Sequence, residues 1–413
     1  MITTQFGDSD KYPALTGHQK SKNQILNGMD NGFINLLIGD VAFMRNHSKG
    51  GNDTLLGGNN SDGGILVNGL IGDSGLMFNH SQGGNDTLLG GNNSHGGLLV
   101  NGLAGDSGVM FNHAKGGNDV LTGGNNINGA VINGLAGDAA LMFDHSKGGN
   151  DVLVGGDNAG VGSVINILTG DALGMFNHAK GGNDELIGGN NLGAGHVVNI
   201  LAGDALIMSG HAKGGNDILR GGDGNGEIGN TVTNYLYGDA REISVSITID
   251  EILDKFNELT GINSNDILNT AMDRLPDNIA GINFSEFAAS IESKLNLNKK
   301  AHVKAGNDIL ISGTNATDHM WGDFGDPSIT QGGADTFVFL NNFGNDFIYD
   351  FRQSDGDQII FAVTGVSAFD DLAIEDNGVN TTITVDVDGT AHGTVTLVGV
   401  SGVDLSGDIG FVF

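Results

Sequence analysis

The sequence predicts an all-β fold. It is a parallel β-roll or β-helix solenoid with coils of about 33 residues, a small three-helix insertion and a C-terminal β cap. Two repeated peptides and the composition carry that expectation. The peptide HxxGGND recurs with its aspartate at Asp53, Asp86, Asp119, Asp151, Asp184 and Asp217, so the number rises by 33, 33, 32, 33 and 33. A second peptide, N-x-L-x-G-D, alternates with it and ends at Asp40, Asp73, Asp106, Asp138, Asp171, Asp204 and Asp239. Gly contributes 72 of 413 residues and aromatics only 6%, which speaks against a large globular core.

Residues 1–30 are expected to form an N-terminal cap, and residues 31–242 the regular Gly-rich coils. Each coil is read as two short strands. One follows GGND and points Leu55, Leu88, Leu121, Leu153, Leu186 and Leu219 inward. The other is N-x-L-x, with Leu37, Leu70, Leu103, Leu135, Leu168, Leu201 and Leu236 facing the first ladder across a thin core. The step from each of the first six GD aspartates to the next GGND aspartate never varies, as from Asp40 to Asp53 and from Asp73 to Asp86. The return arm does vary, being shorter from Asp119 to Asp138 than from Asp217 to Asp239. The first arm is therefore the geometrically constrained one.

That arm opens once. Asp239 and the next aspartate of its kind, Asp308, lie much further apart, and the extra stretch, 243–301, is poor in Gly. Thr248 and Glu251 form a capping-box pattern, Leu268, Ala271, Met272 and Leu275 recur at helical spacing, and Asn283 with Glu286 opens a third apolar face. Three helices in an inserted module are expected. Residues 302–340 are read as the last roll turns, carrying Asp308, Asp323 and Asp335. Residues 341–413 are strand-like segments expected to close the exposed sheet edge.

Charge narrows the partners. With 18 basic and 49 acidic residues the chain carries −31, which disfavours nucleic acid and anionic membrane surfaces. The acids are 41 Asp and 8 Glu, a bias toward short carboxylates working inside turns. No Cys occurs, so thiolate metal sites and disulfides are excluded. The N-terminal residues lack the basic and apolar pattern of a Sec-type signal, and no apolar run is long enough to span a bilayer. Stacked coils turn one Asp per repeat into a file of like charges. A divalent cation is the natural remedy, and hard oxygen donors in flexible Gly turns suit Ca²⁺ better than Mg²⁺.

GGNDTLLGG at 83–91 resembles the glycine-rich nonapeptide of RTX (repeats-in-toxin, hemolysin-type calcium-binding) proteins. The tail GGADTFVF…DFRQSDGDQI…DIGFVF is similar to the C-terminal region of RTX proteins exported by type I secretion. The resemblance implies a Ca²⁺-binding β-roll, a secreted or cell-surface location, and an uncleaved C-terminal signal read by the type I machinery. It implies ligands at Asp53, Asp86, Asp119, Asp151, Asp184, Asp217, Asp308 and Asp335. The GD row, Asp40, Asp73, Asp106, Asp138, Asp171, Asp204, Asp239 and Asp323, is a second candidate row, so which row holds the ions stays open. In the N-x-L-x-G-D half the family's ligand Asp is replaced by Asn, as at Asn68.

Other repeats admit plainer readings. His47, His80, His113, His145, His178, His211 and His302 each stand at the start of the motif that ends in the ligand Asp. A metal ladder or pH sensor competes with simple hydrogen bonding to loop carbonyls or to the next coil's Asp. Lysines two positions on are read as partial compensation for the Asp rows. The Met–Phe pairs, such as Met77–Phe78, are read as packing the loop onto the roll, against an exposed stripe for a partner. GDSG at 72–75 is a repeat element rather than a serine nucleophile, and no HExxH or GxSxG motif occurs.

The expected function is a non-enzymatic, secreted, Ca²⁺-binding roll that folds outside the cell and acts in surface, matrix or host interaction. A glycan or protein is expected to dock on the helical insertion. The alternatives are an extracellular polysaccharide-acting enzyme with a site on the roll, and a membrane-active toxin-like effector.

Overall fold

The computed structural model describes residues 2–8, 14–243, 278–279, 282–283, 302–325, 332–387, 389–401 and 411–412. It is an all-β parallel solenoid. Among the described residues there is no α-helix, and one 3₁₀ turn spans Phe369–Asp371.

Each coil contains three strands where the sequence suggested two. In one coil they are Ile65–Ile71, Ser74–Phe78 and Thr87–Leu89. These belong to three sheets of 13, 8 and 11 strands, termed here first, second and third. Neighbouring coils pair parallel and in register, so Asn68 lies beside Asn101 and Leu88 beside Leu121. The additional strand is the x-x-x-M-F segment read above as a loop. It occupies the arm of constant length, which accounts for that constancy: corner, strand and turn are each fixed.

The GD dipeptide makes the corner between the first and second sheets. A turn at Asn79 (φ 55°) and His80 (φ 63°) leaves the second sheet, and the same left-handed pair recurs at Asn46–His47, Asn112–His113 and Asn177–His178. Asn is among the few side chains that tolerate this region locally.

Packing follows the rows. The two leucine ladders meet in one fully buried core, as their periodicity predicts. A second core stacks Met44, Met77, Met110, Met142, Met175 and Met208 on small residues such as Ala139 and Ala172. The methionines thus pack inside, while Phe143 and Phe176 stack on one another at 5.0 Å in a separate cluster.

The insertion leaves the solenoid after the strand Ala240–Ile243, and the coil resumes in register from His302. Ile309–Ile311 pairs directly with Ile218–Arg220, so the coil on either side is uninterrupted. The three expected helices fall almost wholly on residues outside the described ones and gain no support. The four described residues there form an antiparallel ladder, Asn278–Ile279 with Ile282–Asn283. Asn283 is therefore in a strand where the capping pattern suggested a helix start. The β-branched Ile279 and Ile282 favour extended backbone over helix at these positions.

At the C-terminal side, Gly344–Ile348 pairs parallel with Thr390–Leu397, which in turn pairs antiparallel with Thr381–Val387. Leu372–Asp376 completes the edge, also antiparallel. No helix among the described residues is long and apolar enough to cross a membrane.

Candidate metal centre

The corner GD and the GGND turn are brought together by the second sheet, which folds back between them. Their two aspartate rows then line a single buried column. Asp40, Asp53 and Asp73 offer carboxylate oxygens that all lie within 4.8 Å of one another, and so do Asp73, Asp86 and Asp106. Each triad takes two corner aspartates from successive coils and one GGND aspartate. Neither row is therefore the sole candidate: the structure joins both.

One oxygen of each carboxylate is anchored. In the corner row, Gly84 N–H donates to Asp73 Oδ2 at 2.8 Å and Gly149 N–H to Asp138 Oδ1 at 2.9 Å. In the GGND row each carboxylate caps the coil before it: Asp86 N–H donates to Asp119 Oδ1 at 2.6 Å, and Asp119 N–H to Asp151 Oδ1 at 2.7 Å. The chain of such bonds runs through Asp184, Asp217, Asp308 and Asp335.

The second oxygen is orphaned. Oδ2 of Asp53, Asp86, Asp119, Asp151, Asp184, Asp217, Asp308 and Asp335 is buried without any partner, as is one oxygen of Asp73, Asp138, Asp171, Asp204 and Asp239. Buried carboxylate oxygens without donors are costly.

Titration reflects this. Burial, then repulsion from Asp40 and Asp86, pushes Asp53 up to about 9. Burial does the same to Asp86 and Asp151, each to about 8, and with Asp308 and Asp323 pushes Asp335 to about 10. Asp73, Asp106, Asp119, Asp138, Asp171, Asp184, Asp217, Asp239 and Asp308 are held well above the usual carboxylate range, chiefly by burial. Asp204 rises to about 6, and Asp40 and Asp323 are also raised by burial.

The glycines make the cradle. A Cβ on Gly105 would lie 1.7 Å from Gly137 O and 2.1 Å from Asp119 Oδ2, and one on Gly83 would lie 1.6 Å from Asp106 Oδ1. Carbonyl and carboxylate oxygens converge where a side chain would stand. The donor set is hard oxygen only. Two oxygens sharing one Ca²⁺ can be up to about 5 Å apart, against about 4.2 Å for Mg²⁺. Oxygen donors carried on flexible glycine turns suit Ca²⁺, whereas Mg²⁺ demands near-ideal octahedral geometry.

The opposite bend supplies an internal control. Asn68 Nδ2 donates to Asn101 Oδ1 at 2.8 Å and to Gly58 O at 2.9 Å, while its Oδ1 accepts from Gly58 N and Asn35 Nδ2. Asn101, Asn133, Asn166 and Asn199 repeat the pattern. Both amide hydrogens and both lone pairs are used, so this ladder is complete without an ion.

The ladder ends at Asp318, which accepts from Asn234 Nδ2, and its own N–H donates to Asp346 Oδ1 at 3.0 Å. Asp346 Oδ2 is orphaned in turn. The sequence reading missed Asp318, Asp346, Asp350 and Asp357. Their signal was present: Asp318 stands at the Asn position of a degenerate N-x-L-x-G-D, and Asp357 caps Asp335 N–H as the next member of its row.

The histidines stack on one another. Eight exposed rings, from His18 to His302, form a column with centroids 4.6–5.6 Å apart. Near-parallel planes, 4° between His80 and His113, give parallel lone pairs that do not converge on a shared ion. The lysines do not compensate the aspartates either, since no ion pair joins them among the described residues. Ser74 and Ser107 of the GDSG elements bond to carbonyls of their own strands, Leu76 O and Val109 O.

No family model matches the chain, and no curated protein matches it in sequence.

Proposed function

We propose that the protein is a secreted, non-enzymatic β-roll of the RTX type whose coils are closed by Ca²⁺ along the paired Asp column. The observation that carries this reading is the contrast between the two bends of one coil. The Asn side saturates itself, whereas the Asp side leaves a buried oxygen unpartnered in coil after coil. Asp53, Asp86, Asp119, Asp151, Asp184, Asp217, Asp308 and Asp335 would hold the ions together with Asp40, Asp73, Asp106, Asp138, Asp171, Asp204, Asp239 and Asp323. The bound ion supplies charge neutralisation, and the chain's own residues orient the ligands through glycine N–H groups.

Folding then depends on the metal. At low Ca²⁺ the column opposes coil stacking, and at millimolar Ca²⁺ the solenoid forms. That dependence suits a chain exported unfolded by type I secretion and folding outside, with a role at the surface, in matrix or against a host. Far-UV circular dichroism with and without chelator tests the reading. Near or above about pH 8, a β spectrum appearing only with Ca²⁺ supports it, and an unchanged spectrum in excess EGTA refutes it.

A further inference from the structure

The metal column leaves one conspicuous surface unexplained. Lys20, Lys49, Lys115, Lys147, Lys180, Lys213 and Lys304 occupy one row, interrupted only by Gln82, with their backbones bridged in parallel register. All are exposed, and none is paired with a carboxylate among the described residues. Stacked at the coil spacing of about 4.8 Å, these ammonium groups repel one another. Seven of the chain's 18 basic residues stand in this file although 49 acidic residues were there to alternate with them.

Beside the row runs a groove. A pocket of 370 Å³ within it has a floor of Gly-Gly pairs, with Lys147, Lys180 and Lys213 along one wall and Asn150, Asn183 and Asn216 along the other. The asparagines use Oδ1 to accept the backbone N–H of the next coil, as Asn216 N–H to Asn183 Oδ1 at 2.9 Å, which leaves their Nδ2 donors free. The lysine ammonium groups and the asparagine amides thus offer donors from both sides. The stacked histidines lie two positions before the lysines on the same exposed turn.

We infer that this groove binds an extended acidic polysaccharide, a polyuronate with one carboxylate per sugar. A straight, two-fold 1,4-linked uronate chain turns successive carboxylates to opposite sides, so on the side facing the row every second lysine meets an acid group, and the Asn amides donate to hydroxyl or carboxylate oxygens between them. Nucleic acid fits less well, because its phosphates wind helically instead of running in a straight file. Of the acids behind the net charge of −31, nineteen aspartates are buried among the described residues and most of these line the interior column, where Ca²⁺ would neutralise them, so the lysine file stands as a local cationic strip. The inference rests on the Ca²⁺ reading above for that neutralisation, and it names the matrix component for which that reading leaves room.

The test uses the full chain in Ca²⁺, with folding checked first by circular dichroism, and short oligouronates as the probe in isothermal titration calorimetry. The wild-type chain is expected to bind, more weakly as salt rises. The triple variant Lys147→Gln/Lys180→Gln/Lys213→Gln is expected to lose on the order of tenfold in affinity or more. Gln82 already occupies this row, so the variant keeps a side chain the coil accepts. No binding by the folded wild type, equal binding by the folded triple variant, equal binding of a neutral oligosaccharide of the same linkage, or tighter binding of single-stranded DNA would each overturn the inference. A chain that folds without Ca²⁺ yet binds oligouronate would instead count against the metal reading alone.

Discussion

Replacing Asp119 by asparagine exchanges one atom, Oδ2 for Nδ2, at the middle of the column. Oδ1 keeps its bond from Asp86 N–H, so the capping role survives. The consequence depends on what faces the other atom. Asp119 Oδ2 is buried, has no partner, and converges with Gly137 O on the space above Gly105. If a cation bridges these oxygens, the amide removes one charged ligand, and the loss is about 1.5–3 kcal/mol on the scale of interactions with ionised groups. If no cation is there, the amide donates where two acceptors faced each other, and the protein gains about 1–3 kcal/mol by satisfying a buried group. The two accounts differ in sign. Denaturant unfolding of wild type and Asp119→Asn in excess Ca²⁺ is the assay, and the expected result is destabilisation with a higher Ca²⁺ midpoint for folding. A variant more stable than wild type in Ca²⁺ would refute the reasoning.

Further expectations follow from the same geometry. Asn133→Asp sets carboxylate oxygens against Gly124 O and Asn166 Oδ1, now 3.0 and 2.8 Å from the donating amide, and should cost about 3–6 kcal/mol in denaturant unfolding. Gly105→Ala places Cβ 1.7 Å from Gly137 O and should cost more than about 3 kcal/mol, whereas Gly102→Ala, whose nearest neighbour is Asn68 O at 3.9 Å, should change stability by less than about 1 kcal/mol. The pH dependence should reverse with metal. In chelator the folded carboxylates hold protons more tightly than unfolded ones, with Asp151 near 8 and Asp53 near 9. Stability without metal is therefore fully present below about pH 4 and falls as pH rises through those values. Ca²⁺ needs the ionised form, so in its presence acidification should raise the metal required. Circular dichroism across pH, with and without chelator, would show both slopes, and a flat profile in chelator would contradict the buried charges.

Much of the fold was legible because a solenoid repeats its own instructions. A near-strict period and alternating leucines define coils and a core without reference to any distant contact. The third strand was not legible in Ser74–Phe78 because its inward residue, Met77, is followed by the outward Phe78, so the segment shows no polar alternation. The second core it builds is apolar on one side and covered by aromatic clusters on the other. Which Asp row binds was equally opaque. Partners such as Asp40 and Asp53 are separated along the chain by the whole constant arm, and they meet only when that unread strand folds back. The Asn ladder was visible as a departure from the nonapeptide that the GGND repeat resembles, but its self-sufficiency lies in hydrogen bonds between coils.

The scale of the metal requirement can be bounded simply. Raising each aspartate of the two rows by a single pKa unit, about 1.4 kcal/mol apiece, would total roughly 20 kcal/mol. That exceeds the roughly 5–15 kcal/mol net stability of an ordinary domain. Asp53, at about 9, stands much further than that from the ordinary carboxylate range. On the proposed reading, cations in the column offset this cost at neutral pH.

The most direct measurement is a crystal structure of the chain grown in Ca²⁺, with anomalous scattering used to place the ions. The account predicts a file of Ca²⁺ between the GD corners and the GGND turns, one per gap between coils, and none along the ladder from Asn35 to Asn234. A column without ions, or ions seated on the Asn ladder instead, would contradict it.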